Sequence, residues 1–378
     1  MATRRQWHLS ALSAVVGAVL LAACGGGGDD KELNVSRIIS FGDSYSDLGT
    51  YAPATSLVGG GAAPYFAGRF TTNTHTGYTA TSNTNTATIW VEWVAARVGV
   101  PITQAEAGVL GQSRKCPAAL SIPSLATTCT AYGQGGSLVT DPIGIGNPLA
   151  LTVPLVTQVA NHLALSNDAF TSNEIVFMFG GANHLLTNYV AYSQGLPQAT
   201  AIANMETAGA ELAALVKDKI VAKGATRVAV MNLPNIAPMP RFNQLPPAAN
   251  TALLGQLADA FNTKLTAGLS GVNVQVIDTR AIFADVLANP SKYGITNVTD
   301  AACDPVKIAA VTGGQITDGS SLFCNAAAGQ PFNTMKAGAS ATTWFFADGV
   351  HPSTGGHKVI ANYVITKIKD FGWVPPNL

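Results

Sequence analysis

Four short clusters along the chain each hold a residue type that acyl-transfer chemistry uses. Ile38-Ile39-Ser40-Phe41 runs straight into Gly42-Asp43-Ser44. Tyr132 to Leu138 reads YGQGGSL, a glycine cluster with free backbone N–H groups. Gly180 to His184 reads GGANH and follows the apolar run Glu174 to Phe179. Phe346 to Ser353 reads FADGVHPS, with Asp348 three residues ahead of His351. Each cluster has a plain structural reading. Asp43, Ser44 or Ser46 could cap a helix, the glycines could make tight turns, Asn183 could be a cap, and Asp348 could cap the turn that Pro352 sets. Jointly they supply the parts of a serine hydrolase. A serine hydroxyl is a weak nucleophile and needs a base within hydrogen-bond reach, which His351 can be for Ser44. An imidazole needs an acid to fix its tautomer, and Asp348 can do so from the same loop. A tetrahedral oxyanion needs donors, which the N–H of Ser44, the N–H of a glycine and the Asn183 amide would provide.

In this chain order the clusters resemble the blocks of the SGNH/GDSL-type serine esterases. FGDSYSD resembles the first block, with Tyr45 where leucine is usual. YGQGGS resembles the second, whose glycine donates to the oxyanion; Gly136 is the best match and Gly135 the second choice. GGANH resembles the third, which supplies the oxyanion asparagine, here Asn183. DGVHPS resembles the fifth, giving Asp348 and His351. NLPNIAPMP, from Asn232 to Pro240, resembles a proline-rich stretch of the larger members. The resemblance runs from about Val35 to Lys369. It implies a flavodoxin-like three-layer α/β sandwich, a Ser44–His351–Asp348 triad, and ester hydrolysis through an acyl-enzyme without metal or organic cofactor. Short acyl esters or lipids are the expected substrates. Carbohydrate O-deacetylation and polyester depolymerisation are alternatives that use the same triad. From another class comes a retired hydrolase scaffold that serves as a surface binding protein, which would have no use for the complete set. Two positions depart from the pattern. His184 stands where aspartate is usual and reads as a surface residue in preference to a substrate contact, and Ala131 stands where the second block opens with asparagine. Asp43 reads as support for the turn and not as the triad acid. No Gly-x-Ser-x-Gly elbow, Walker A, Gly-x-Gly-x-x-Gly or His-Glu-x-x-His motif competes.

The elements that must position these residues follow from periodicity. Val35 to Phe41, Glu174 to Phe179, Arg227 to Asn232 and Val272 to Asp278 read as strands. Ile89 to Val98, Pro154 to Ala164, Thr200 to Lys223 (ending at Gly224), Asn250 to Leu269 and Gly355 to Asp370 read as helices. Strands alternating with long helices predict βαβ units around a parallel sheet covered on both faces, with ligands beyond the carboxyl ends of its strands. Gly42–Ser44 and Gly180–Asn183 fall at such ends. Residues 50–88 and 300–343 break the pattern and read as long loops over a single domain spanning 35–378.

Composition narrows the class further. The chain has 378 residues, 47% hydrophobic and 11% charged, with a formal net charge of +0. It can bury a large core and carries no basic footprint for nucleic acid. Arg4 and Arg5 precede an apolar run from Leu9 to Ala23 that has signal-peptide proportions. The run ends in Leu-Ala-Ala-Cys24, which resembles a bacterial lipobox. Residues 1–24 are therefore expected to be a lipoprotein signal ending at a lipid-modified Cys24. Residues 25–34 would be a tether, and the product an exported outer-membrane lipoprotein facing periplasm or cell surface. Both Sec and twin-arginine export remain open. Removing Cys24 leaves Cys116, Cys129, Cys303 and Cys324, an even number that suits disulfides in an exported protein. Three pairings are possible, of which Cys116–Cys129 and Cys303–Cys324 close the shortest loops. The spacing fits no zinc site. Oligomeric state is not encoded in any of these features.

Overall fold

A strand covered on both faces needs an unbroken apolar run, and the centre of the sheet is made of such runs. The computed structural model describes residues 34–53, 55, 68–74, 78–79, 82–83, 86–146, 150–243, 249–328 and 333–378. The signal segment, Cys24 and the tether up to residue 33 lie outside the described residues. The central sheet holds β1 (Arg37–Gly42), β2 (Glu174–Phe179), β3 (Val228–Met231) and β4 (Gln275–Ile277), side by side in that order and all parallel. β2 and β3 are buried throughout, and β4 forms the edge with Gln275 and Val276 exposed.

A short further strand lies on the other side of β1. Ser40 N–H donates to Thr130 O at 2.9 Å, Tyr132 N–H donates to Ser40 O at 2.7 Å, and Ala131 bridges Gln104 beyond. The chain leaves β1 toward this side first and returns to β2 on the opposite side, so the topological switch falls at β1. Ligands bind at such points in open α/β sheets.

The described helices include α1 (Trp90–Val98), α2 (Leu155–Leu165), α3 (Ala182–Ser193), α4 (Gln198–Leu215), α5 (Ala249–Gly268), α6 (Thr279–Ala288), α7 (Pro305–Val311) and α8 (Thr354–Asp370). α1 packs with α8, and Trp90 meets Phe177 and Phe179, alternate residues on one face of β2. α3, α4 and α5 pack together as a second group. The sheet flanked by helices is the α/β architecture expected from the sequence. The helix expected over 200–223 is α4 continued by a π turn, Val216–Ile220, and a 3₁₀ turn, Val221–Lys223, before Gly224.

The segment 300–343 is more than a loop. β5 (Asn297–Ala301) pairs in parallel with β6 (Trp344–Phe346), and α7 lies between them. Ala302, Ile308, Phe323 and Met335 make a small core around Cys303 and Cys324. These apolar residues are scattered singly in sequence, so no period announces them. The structure joins Cys303 to Cys324 and Cys116 to Cys129, with Cα–Cα separations of 5.5 Å and 5.3 Å. Of the expected loop 50–88, Tyr65 and Phe66 lie outside the described residues. Arg69 in that loop pairs with Glu92 of α1.

His162 of α2 is buried, 4.8 Å from the Phe170 ring centroid and 3.2 Å from the Tyr132 hydroxyl. Burial lowers its pKa from 6.5 to about 4. Between those values the unfolded chain takes up a proton that the folded chain refuses. Its contribution is therefore complete above pH 6.5 and is lost as pH falls toward 4, by about 3 kcal/mol at most. Urea unfolding of wild type and His162→Phe at several pH values checks this. The substitution should flatten the decline between pH 6.5 and 4.

Candidate active site

β1 delivers its last residue to a place where only glycine fits. A side chain on Gly42 would lie against the carbonyl of Phe179 on β2. Asp43 N–H then donates to that carbonyl at 3.2 Å, and the Asp43 carboxylate accepts from Tyr45 N–H at 3.3 Å. The carboxylate caps the single 3₁₀ turn Ser44–Ser46 and presents Ser44 at the sheet's carboxyl edge. Burial raises the Asp43 pKa from 3.8 to about 6, against backbone hydrogen bonds and the nearby His351.

Ser44 Oγ lies 2.8 Å from Nε2 of His351, 307 residues further along the chain. Nδ1 of His351 lies 2.8 Å and 2.9 Å from the two oxygens of Asp348. A carboxylate only accepts, so Nδ1 carries the ring proton, and Nε2 accepts from the serine hydroxyl. Asp348 is buried, which opposes its charge. His351 and the N–H groups of Val350, His351 and Ser321, at 2.9 Å, 2.8 Å and 2.8 Å, outweigh burial and hold it well below the usual carboxylate range. The imidazole packs between Phe70, 4.9 Å away, and Tyr45, 5.9 Å away. The Tyr45 hydroxyl donates to Val350 O at 2.6 Å, so the residue standing where leucine is usual ties the serine turn to the histidine loop. The Asn232–Pro240 stretch leads to Arg241, whose N–H donates to Gly349 O at 2.9 Å.

The glycine cluster arrives from the neighbouring strand. Gly135 N–H donates to Asp47 Oδ2 at 2.9 Å and is occupied. Among the described residues Gly136 N–H has no acceptor, which separates the two glycines that the sequence left as first and second choice. Gly136 has φ +84°, and a side chain there would meet the Ile145 carbonyl, so glycine is required twice over. Asn183 is the second residue of α3, and its Nδ2 donates to Ser137 O at 2.9 Å. Ser44, Gly136 and Asn183 thus follow three adjacent parallel strands to one edge. His184 is half-buried and not a plain surface residue: its Nε2 accepts from Val139 N–H at 2.9 Å.

Several residues that hold this arrangement were not singled out from sequence. Buried Gln158 accepts from Gly42 N–H at 3.0 Å and donates to Gly42 O at 2.9 Å, to Ser137 Oγ at 3.4 Å and to Val153 O at 2.9 Å. The signal available was a polar residue beside Leu155 and Val159 on the apolar stripe of a helix. Asp47 accepts from Gly49, Thr50 and Gly135 N–H, and burial raises its pKa against those bonds. The Tyr51 hydroxyl donates to Gly135 O at 2.8 Å. Ser321 acts through its main chain, so its side-chain type carries no signal.

With this geometry in hand, the comparisons with known proteins agree on the class. The pattern of the GDSL-like lipase/acylhydrolase family matches residues 38–364. The chain belongs to that family. Individual relatives are more distant. The GDSL esterase/lipase APG of Arabidopsis thaliana is 28% identical over 157 residues, covering 39% of this chain and 40% of the relative. A second Arabidopsis thaliana GDSL esterase/lipase is 29% identical over 155 residues, covering 38% and 39%. A third is 24% identical over 358 residues, covering 88% of each chain. The chain thus spans less than half the length of the first two relatives.

Asp43 generates a stability prediction of opposite sign to that of His162. With its pKa raised from 3.8 to about 6, the folded chain binds the extra proton between those values. The penalty of burying the charge is therefore largest above pH 6 and fades as pH falls toward 3.8. Asp43→Asn should raise unfolding stability at alkaline pH by on the order of 1–3 kcal/mol, with the gain vanishing near the lower value. Denaturant titrations of both proteins at the two extremes of pH check this.

Proposed function

We propose that the protein is a serine esterase that hydrolyses carboxylic esters through an acyl-enzyme. The observation that carries this reading is the unbroken run of short hydrogen bonds from Ser44 through His351 to Asp348. His351 Nε2 takes the proton as Ser44 Oγ bonds to the ester carbonyl carbon. The N–H groups of Ser44 and Gly136 and the Asn183 amide receive the oxyanion. As the intermediate collapses, the C–O bond to the alcohol breaks and His351 gives its proton to the leaving oxygen. A water molecule, deprotonated by His351, then attacks the acyl carbon, and Ser44 leaves reprotonated. Asp348 stays ionised and stabilises the imidazolium at each stage.

Short acyl esters are the proposed substrates. In support, Phe70 fills the space beside Gly135, where even a β-carbon would strike its ring, and also lies against His351. That packing leaves little room for a long chain on this side of the serine. We also propose that the protein is exported and held at a membrane by a lipid on Cys24. The lipobox-like sequence supports this, and so do the two joined cysteine pairs, which suit an oxidising compartment.

Ester hydrolysis, active-site labelling and cell fractionation test the reading. Hydrolysis of p-nitrophenyl esters should decline from acetate and butyrate toward palmitate. Ser44→Ala should abolish turnover and labelling by a fluorophosphonate, and Asn183→Ala should lower kcat on the order of 10²–10³-fold; retained turnover in Ser44→Ala removes the nucleophile. For the anchor, Cys24→Ser should move the protein from the membrane fraction to the soluble fraction.

A further inference from the structure

In its first turn, the helix that carries Asn183 has two consecutive residues that hold one stretch of backbone. Asn183 Nδ2 donates to Ser137 O, and His184 Nε2 accepts from Val139 N–H, each at 2.9 Å. Adjacent residues on a helix point about 100° apart, so a single side chain could not make both contacts. The two bonds run in opposite senses, one to a carbonyl and one from an amide two residues later. A slide of the stretch along α3 would break at least one of them. Thr140, the next residue, donates from Oγ1 to Glu211 Oε2 of α4 at 2.7 Å, so the same stretch is also gripped from a second helix. Gly136 lies one residue before Ser137.

We infer that His184 is a positioning residue for the reaction: by holding Val139 it sets Gly136 N–H at a fixed spacing from the Asn183 amide. This rests on the ester-hydrolase reading of the site. Two donors stabilise one oxyanion only when both point at it, and a misplacement of about 1 Å costs on the order of 10²-fold in rate. The bond also fixes the state of the ring. Val139 N–H can only donate, so Nε2 must offer its lone pair, and the ring proton sits on Nδ1. The charged groups facing the ring are Glu211 of α4 and Asp141 of the held stretch. Both favour the imidazolium, but burial outweighs them and lowers the pKa from 6.5, keeping the ring neutral. An imidazolium would turn a second donor toward Val139.

The test compares wild type with His184→Phe, which keeps a ring but offers no acceptor, and His184→Gln, whose amide oxygen can accept from Val139. Each is assayed for kcat and KM on p-nitrophenyl butyrate. Each is also assayed for inhibition by an aryl trifluoromethyl ketone, which adds to Ser44 and leaves a tetrahedral oxyanion. His184→Phe should lower kcat by about 10- to 100-fold with KM changed less than about twofold, and the inhibition constant should rise in parallel with the loss of kcat. His184→Gln should recover most of both. A role in stability alone would lower the melting temperature without that parallel shift and would not distinguish Gln from Phe. An active wild type whose kcat and inhibition constant survive in His184→Phe overturns the inference alone, as do equal losses in Phe and Gln variants. A wild type that neither hydrolyses the ester nor binds the ketone overturns the reading of the site and this inference with it. If the phenylalanine is not accommodated, His184→Leu, also without an acceptor, makes the same comparison.

Discussion

Parallel pairing on both sides of β1 is the interaction on which the site depends. On one side β1 is laddered to β2, with Gly42 opposite Phe179. On the other, Ser40 exchanges hydrogen bonds with Thr130 and Tyr132. Parallel strands advance about 3.3 Å per residue, and a slip of two residues, the smallest that keeps each side chain on its face, would shift a strand end by about 6.6 Å. The contact between Ser44 and His351 spans 2.8 Å. A site assembled from three strand ends therefore requires the one register that is seen, with Arg37 opposite Glu174 and Gly42 opposite Phe179.

Where the strands stop, the ladder no longer satisfies the backbone, and side chains take over. Asp47 receives three N–H groups, Gln158 brackets both the N–H and the carbonyl of Gly42, and Asn183 donates to Ser137. Leaving a buried donor or acceptor without a partner costs about 1–3 kcal/mol. This explains why the region is rich in buried Asp, Gln and Asn. It also gives meaning to the donor of Gly136, for which the described residues offer no acceptor. The burial of Asp43 fits the same picture: a carboxylate with a strained ionisation is tolerated because it caps the turn that carries the serine.

Much of this architecture can be read from the chain because apolar runs and helical stripes are long where the core is thick. β1, β2, β3 and most of the long helices lie within a few residues of their expected bounds. Ser44, His351 and Asp348 are joined by hydrogen bonds at the sheet's carboxyl edge, while Gly136 and Asn183 follow the chains paired on either side of β1. What escaped notice has a common character. The strand at Thr130–Tyr132 is too short to show alternation and sits between a cysteine and a glycine cluster. α3 begins inside GGANH, where the polar residues mask its period, and α6 follows β4 after a single residue, Asp278. The contacts that steady the site run mainly to backbone atoms, through Asp47, Gln158, Tyr45 and His184. No rule of composition or spacing reveals which amide a side chain will reach across the fold.

The donor from Ser321 to Asp348 carries a consequence of its own. It belongs to the small lobe built around the Cys303–Cys324 link, which packs apart from the main core. Because the donating atom is main chain, any small residue at that buried position can supply it, and only proline, which lacks the hydrogen, cannot. The surroundings of Asp348 thus depend on where the lobe's main chain places Ser321, and not on the side chain at that position. Divergence between related chains in acid tolerance or turnover would then be written in the length and anchoring of a peripheral insert, where a column-by-column comparison of side chains would not find it.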